Sequence, residues 1–293
     1  MNQIFKLYAN CIPVSGYQRS IICDLQRKNF EFIPNSLYQI LVTYDNMIID
    51  EIASSYDYKF KSHIEEYFEF LIKEEFVFII DKNEVSFFPT LQKCWETSSE
   101  IGNSIIDMTF FDNGTLNDLF FKLEELGCRH YLLFSNTNKS ICFFENLVKT
   151  FKKYRVQSVE IIIAYDEKYN LDFYDYINKL SYITKCIIFN APFQKNIGNK
   201  IIATTESLSL SNTNTIHPNF FTIEILYFLE ALWYNTNCNK KIFINQDGNV
   251  LNTCGAKKIF GNIYSEDITK VIFESDYKEI WDIKKDIIDI MNH

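Results

Sequence analysis

Between residues 5 and 33 apolar and polar positions alternate, the period of a strand with one buried face. Polar turns at 15–18 and 26–29 divide this run into a β-meander. After Pro34 the period lengthens to that of a helix. Asn35 and Ser36 cap a first helix that carries Leu37, Ile40 and Leu41. Residues 47–56 read as a short second helix, and 60–76 as a third. The third has Ile64, Tyr67, Phe68, Leu71 and Ile72 on one stripe, with Glu65, Glu66, Glu69 and Lys73 on the wet face. Residues 76–88 read as a hairpin turning at 81–84. Together these elements predict an α+β, winged-helix-like module over residues 1–95, large enough to fold independently.

From residue 100 the rhythm is strand then helix. Strands are expected at 104–111, 130–135, 158–165 and 185–191, and helices at 115–127, 141–154 and 171–183. Leu116, Leu119, Phe120, Leu123 and Leu126 give the first of these helices an inward face, and Gly127 ends it. Phe144, Leu147, Val148 and Phe151 do the same for the second. Such alternation predicts right-handed βαβ units and a mostly parallel sheet covered on both faces. Residues 96–216 then form a partial TIM-barrel-like α/β domain, with too few units to close. A third region, 217–293, contains a helix over 220–235, a hairpin over 240–255 turning at Asp247-Gly248, and a final helix over 275–292.

Composition narrows the function. The 47% hydrophobic share, with 27 Phe and 18 Tyr, can fill more than one core. A net charge of −9 disfavours nucleic acid, whose phosphates require basic patches. The start of the chain lacks a signal peptide, and no apolar run approaches the roughly 18–20 residues needed to span a bilayer. A cytoplasmic protein without a membrane partner is expected, its eight cysteines being thiols or metal ligands.

Those cysteines carry no Cys-x-x-Cys and no Cys-x3-Cys-x2-Cys, so the loop that holds a SAM-cleaving cluster is missing. Cys11 and Cys23, mid-strand in the meander, read as small packing residues. Cys238 and Cys254 flank the late hairpin. They are either its base or part of a metal site that needs further ligands, such as His217. Asp107 and Asp112, near the end of the first barrel strand, either face a pocket or solvate a loop. No phosphate loop, nucleophile elbow or HExxH is present. The remaining candidate is a surface. If residues 29–33 form an edge strand, an extended peptide can add as a further strand there. Asn29, Phe30, Glu31, Phe32 and Ile33 would pair with it, and Tyr67, Phe70, Leu71 and Glu74 of the third helix would line the groove. Acidic residues along it suit a guest containing Lys. A plain structural edge is the other reading.

The stretch FKLYANCIPVSGYQRSIICDLQRKNFEFIPNSLYQIL, the late block NTNCNKKIFINQDGNVLNTCGAKKIFGNI and the SDYKEIWDIKKDII that follows resemble the SPASM-domain peptide maturases of the grasp-with-spasm system. The resemblance spans nearly the whole chain. It implies a radical-SAM/SPASM-like protein without the SAM-cluster motif, acting beside an ATP-grasp ligase on a ribosomally made precursor peptide. The first ninety residues are also similar to the winged-helix recognition element that binds leader peptides by strand addition. The expected role is therefore an accessory maturation protein that captures the leader and presents it to the ligase. The alternative is an iron–sulfur, SPASM-type peptide-modifying enzyme. Relatives continue into a cysteine-rich tail that the sequence to His293 does not contain, and only Cys238 and Cys254 match the SPASM pattern. The resemblance thus implies a degenerate SPASM-like remnant over 217–293, with a cluster only if other ligands are supplied.

Overall fold

The structure, a computed structural model, describes residues 3–210 and 223–283. The chain forms two compact units, residues 1–95 with 217–232, and residues 96–216 with 233–293.

The first unit opens with β1 (Gln3–Leu7), β2 (Cys11–Val14), β3 (Ser20–Asp24) and β4 (Asn29–Ile33). Then come α1 (Asn35–Thr43), α2 (Ile49–Ser55), α3 (Lys61–Lys73) and β5 (Val77–Asp81). The meander is β2-β3-β4, all antiparallel. The expected unbroken first strand is interrupted at 8–10, where the Cys11 amide donates to the Tyr8 carbonyl at 2.9 Å and closes a turn. β1 leaves the meander and pairs antiparallel with β5.

The hairpin expected at 81–84 does not form. The Asp81 carboxylate accepts from the Asn83 amide at 3.1 Å, and the Glu84 carboxylate accepts from the Asp81 amide at 3.3 Å. This capping box starts a 3-10 turn over Lys82–Phe87, so the polar cluster launches a helix where a strand return was expected.

Phe5, Ile22, Ile33, Ile64, Phe68 and Leu71 fill the core between the strands and helices. Ile72, assigned to the same stripe, is 42% exposed, because one residue past Leu71 rotates it about 100° away. Cys11 sits opposite Asp24 and Ile12 opposite Cys23, which puts the two thiols on opposite sheet faces. Both are buried. Burial, with help from Asp24, pushes Cys11 up to about 12, and burial pushes Cys23 up to about 11. They are packing residues. The Cys23 face is covered by Ile223, Leu91, and Ile225 and Phe228 of a helix over Ile225–Trp233.

The second unit runs β6 (Asn103–Asp107), α4 (Asn113–Glu125), β7 (His130–Ser135), α5 (Ile141–Lys153), β8 (Ser158–Ala164), α6 (Leu171–Lys179) and β9 (Ile183–Phe189). A short hairpin of β10 (Lys195–Ile197) and β11 (Ile201–Ala203) follows. Counting the helix over Ile225–Trp233 as α7, the chain continues with β12 (Lys241–Ile244), β13 (Asn249–Leu251), β14 (Gly261–Asn262) and α8 (Ile268–Glu274). The nine strands are ordered β10-β11-β9-β8-β7-β6-β12-β13-β14, and the run from β11 to β12 is parallel throughout.

Polar residues before the helices act as caps. Asp112, Ser140 and Asn170 each accept from an amide in the first turn, at 2.8, 3.1 and 3.0 Å. Asp112 is thus a helix cap, and it also lines a cleft with Thr115, Lys122 and Tyr264. The expected strand over 104–111 stops at Asp107, and the expected helix over 171–183 at Lys179.

Leu119, Phe120, Phe144, Leu147, Phe173 and Ile177 of the helices share one core with Leu133, Ile161, Ile163 and Ile242 of the strands. The alternate strand positions, Phe134, Ile162, Phe189 and Phe243, form a smaller cluster with Leu208, Leu210, Cys254 and Ala256. Both faces of the sheet are thus covered, as expected, one by the helices and the other by residues of the loops. Because β6, β7, β8 and β9 follow one another across the sheet, right-handed crossovers return α4, α5 and α6 to one side. β12 joins on the far side of β6, so residues after 233 continue the same sheet. Among the described residues no helix is long and apolar enough to cross a membrane. The helix expected over 275–292 begins as a 3-10 segment, Asp276–Asp282, and its remainder lies outside the described residues, as does the start of that expected over 220–235.

Candidate functional site

Two places in the fold bear chemistry. The first is the rim of the meander. β4 is the terminal strand of its sheet, with β3 on one side. α3 is tied to both ends of it. At the turn before β4, Arg27 forms an ion pair with Glu75, just past α3, and its guanidinium reaches the Glu74 carbonyl at 3.5 Å. Just after β4, the Ser36 hydroxyl lies 3.1 Å from the Tyr67 hydroxyl. These two ties set α3 running in the opposite direction to β4. A polar cleft of about 240 Å³ lies beside the Arg27 clasp, lined by Tyr8, Asn10, Asp24 and Glu75 among others.

The residues expected here divide into two classes. Asn29, Glu31 and Phe32 are exposed, and Phe30 is half-buried. Tyr67, Phe70 and Glu74 are half-buried and share a face at helical spacing. Ile33 and Leu71 are 0% exposed and belong to the core beneath. Two residues escaped sequence reasoning. His63 is exposed on the same face as Tyr67, and its i−4 spacing was the available signal. Arg19, from the preceding turn, places its guanidinium 5.2 Å from the centre of the Phe32 ring, and nothing in the local pattern announced it.

The second place lies at the carboxyl ends of β6 and β12. Strand order reverses between them, and open α/β sheets bind ligands at such a switch point. Asp107 ends β6 on the face away from the helices. Its Oδ1 accepts from the Thr109 hydroxyl at 2.5 Å and the Thr109 amide at 3.1 Å, and the Thr109 hydroxyl accepts from the Asn136 amide at 2.9 Å. The Lys139 ammonium donates to the carbonyls of Thr109 and Phe111 at 3.0 and 3.3 Å. The Tyr169 hydroxyl donates to the Lys139 carbonyl at 2.8 Å. The loops after β6 and β7 are thus laced together.

Burial raises the Asp107 carboxyl above the ordinary range and Asp247 adds to this, against the pull of the Thr109 hydrogen bonds and Lys139. Burial lowers Lys139, with Asp107 opposing. Burial, then Asp107, raises the Cys254 thiol. These directions favour the protonated carboxyl and the neutral thiol, the opposite of what activates a cysteine nucleophile.

A raised carboxyl binds its proton more tightly in the folded chain. Its contribution is therefore most favourable below the unfolded value and is lost as pH rises through the interval up to the folded value. Asp107→Asn keeps an acceptor for Thr109 and removes the titration. The variant is expected to be at least as stable as the parent at neutral pH, with a smaller decline from mildly acidic to neutral pH in urea melts.

Cys238 lies in the helix-side core, and Cys254 packs on the opposite face beside Asp107. Among the described residues no three His, Cys, Asp or Glu side chains gather as metal ligands. His217 lies outside the described residues. The loop after β6, residues 108–112, contains no thiol. The donors described do not fit an iron–sulfur cluster.

No protein-family model matches the chain, and no curated protein matches it. Solved structures similar to it include SuiB of Streptococcus suis bound to the precursor peptide SuiA, at 9% identity and a TM-score of 0.40, covering 94% of this chain and 90% of that one. SuiB bound to S-adenosylmethionine gives 12% identity, the same TM-score of 0.40 and the same coverage, 94% and 90%. BtrN in an open conformation gives 12% identity and a TM-score of 0.38, covering 64% of this chain and 88% of that one.

Proposed function

We propose that this chain is an accessory protein of peptide maturation in the cytoplasm. Its winged-helix-like module, residues 1–95, takes the leader of a ribosomally made precursor as an added strand along β4. The rest of the chain, a partial barrel with a SPASM-like remnant over 217–293, presents that peptide to an ATP-grasp ligase. The observation that carries the reading is an edge strand with a helix fastened along it by Arg27–Glu75 and Ser36–Tyr67. Main-chain hydrogen bonds from β4 would supply affinity, and Tyr67, Phe70 and Glu74 would supply choice among side chains.

Hydrogen exchange tests it directly. The full chain, mixed with a short peptide encoded beside its gene, is expected to gain amide protection within residues 29–33. Protection that appears elsewhere and spares this strand would place the peptide at another site and overturn the proposal.

A further inference from the structure

We infer that the guest strand carries a basic and an acidic residue side by side, and that their order reports its direction. This rests on the strand-addition reading and adds a recognition rule to it.

Successive residues of β4 face opposite sides of the sheet. Glu31 stands across from Ile22 and shares its side with Ile33, both 0% exposed under the helices. Phe32 stands across from Ile21 on the other side, 55% exposed, with the Arg19 guanidinium over its ring. Among the described residues neither Glu31 nor Arg19 is in a salt bridge. The rim therefore offers an uncompensated negative charge on one face and an uncompensated positive charge on the other, one residue apart. A residue added opposite Glu31 comes within roughly 5 Å of it, Cβ to Cβ, where opposite charges attract and like charges repel. The residue added opposite Phe32 is the cross-strand neighbour of the ring that the Arg19 guanidinium sits over, so an acidic side chain there is drawn toward that guanidinium. The guest that satisfies both has Lys or Arg opposite Glu31 and Asp or Glu opposite Phe32. In an antiparallel guest the acid precedes the base, and in a parallel guest the base precedes the acid.

The test uses the full chain and labelled synthetic peptides on a Thr/Val strand-forming background, with central Asp-Lys, Lys-Asp or Thr-Thr, followed by fluorescence anisotropy at low salt. One charged order is expected to bind several-fold more tightly than both the other order and the neutral peptide. Glu31→Lys should remove that preference, and a peptide with Glu in place of its Lys should restore it. Arg19→Glu should act in the same way on the acidic position. If all three peptides bind alike and protect residues 29–33 from exchange, the charge rule is wrong while strand addition stands. If none binds or protects this strand, both are wrong.

Discussion

Replacing Glu31 by Pro and, in a separate variant, Phe32 by Pro is expected to separate peptide binding from stability. Amide groups of successive strand residues point alternately to the two sides, so one of this pair faces β3 and the other faces the side of β4 where, among the described residues, no strand pairs. Proline removes the donor and puts its ring there. The variant that loses the outward amide should melt within about 1 kcal/mol of the parent yet bind peptide about tenfold or more weakly. The variant that loses the inward amide should be destabilised by about 1–3 kcal/mol through a broken ladder bond. Parent-like affinity in both variants would mean that the guest does not lie along β4.

Leu71→Ala is expected to act on stability. With 0% of its surface exposed among Phe5, Ile64 and Phe68, this side chain leaves a cavity when truncated, costing about 2–5 kcal/mol. A lower urea midpoint at unchanged slope would show it. Under conditions where the variant stays folded, its affinity for peptide should match the parent's. A loss of affinity with normal stability would return Leu71 to the groove.

The contrast between Leu71 and its neighbours shows what was legible in the sequence. Helical spacing placed Tyr67, Phe70, Leu71 and Glu74 on adjoining faces of one helix, and it also identified Ile64 and Phe68 as core. Period alone does not say where a core face ends and a groove wall begins, because that depends on how deeply the helix sits. The strand–helix alternation from β6 to β9 was plain in the sequence, since each strand is a short apolar run and each helix starts at a polar cap. The destination of β1 was not, because pairing it with β5 joins residues seventy or more positions apart. The segment 81–84 misled because Asp-x-x-Glu serves as both turn and helix cap, and only hydrogen bonds separate the two. The meeting of Asp107 with Cys254 was equally hidden, as it requires β12 to settle beside β6.

The thiols also make the chain convenient to dye. Cys94 and Cys142 are exposed, one in each unit, whereas Cys11, Cys23, Cys128 and Cys186 are buried with their ionisation pushed upward. Maleimide reagents consume thiolate, so a brief treatment at neutral pH should mark those two positions well ahead of the buried four. Each unit thus arrives with its own fluorophore attachment point, and no cysteine has to be engineered in.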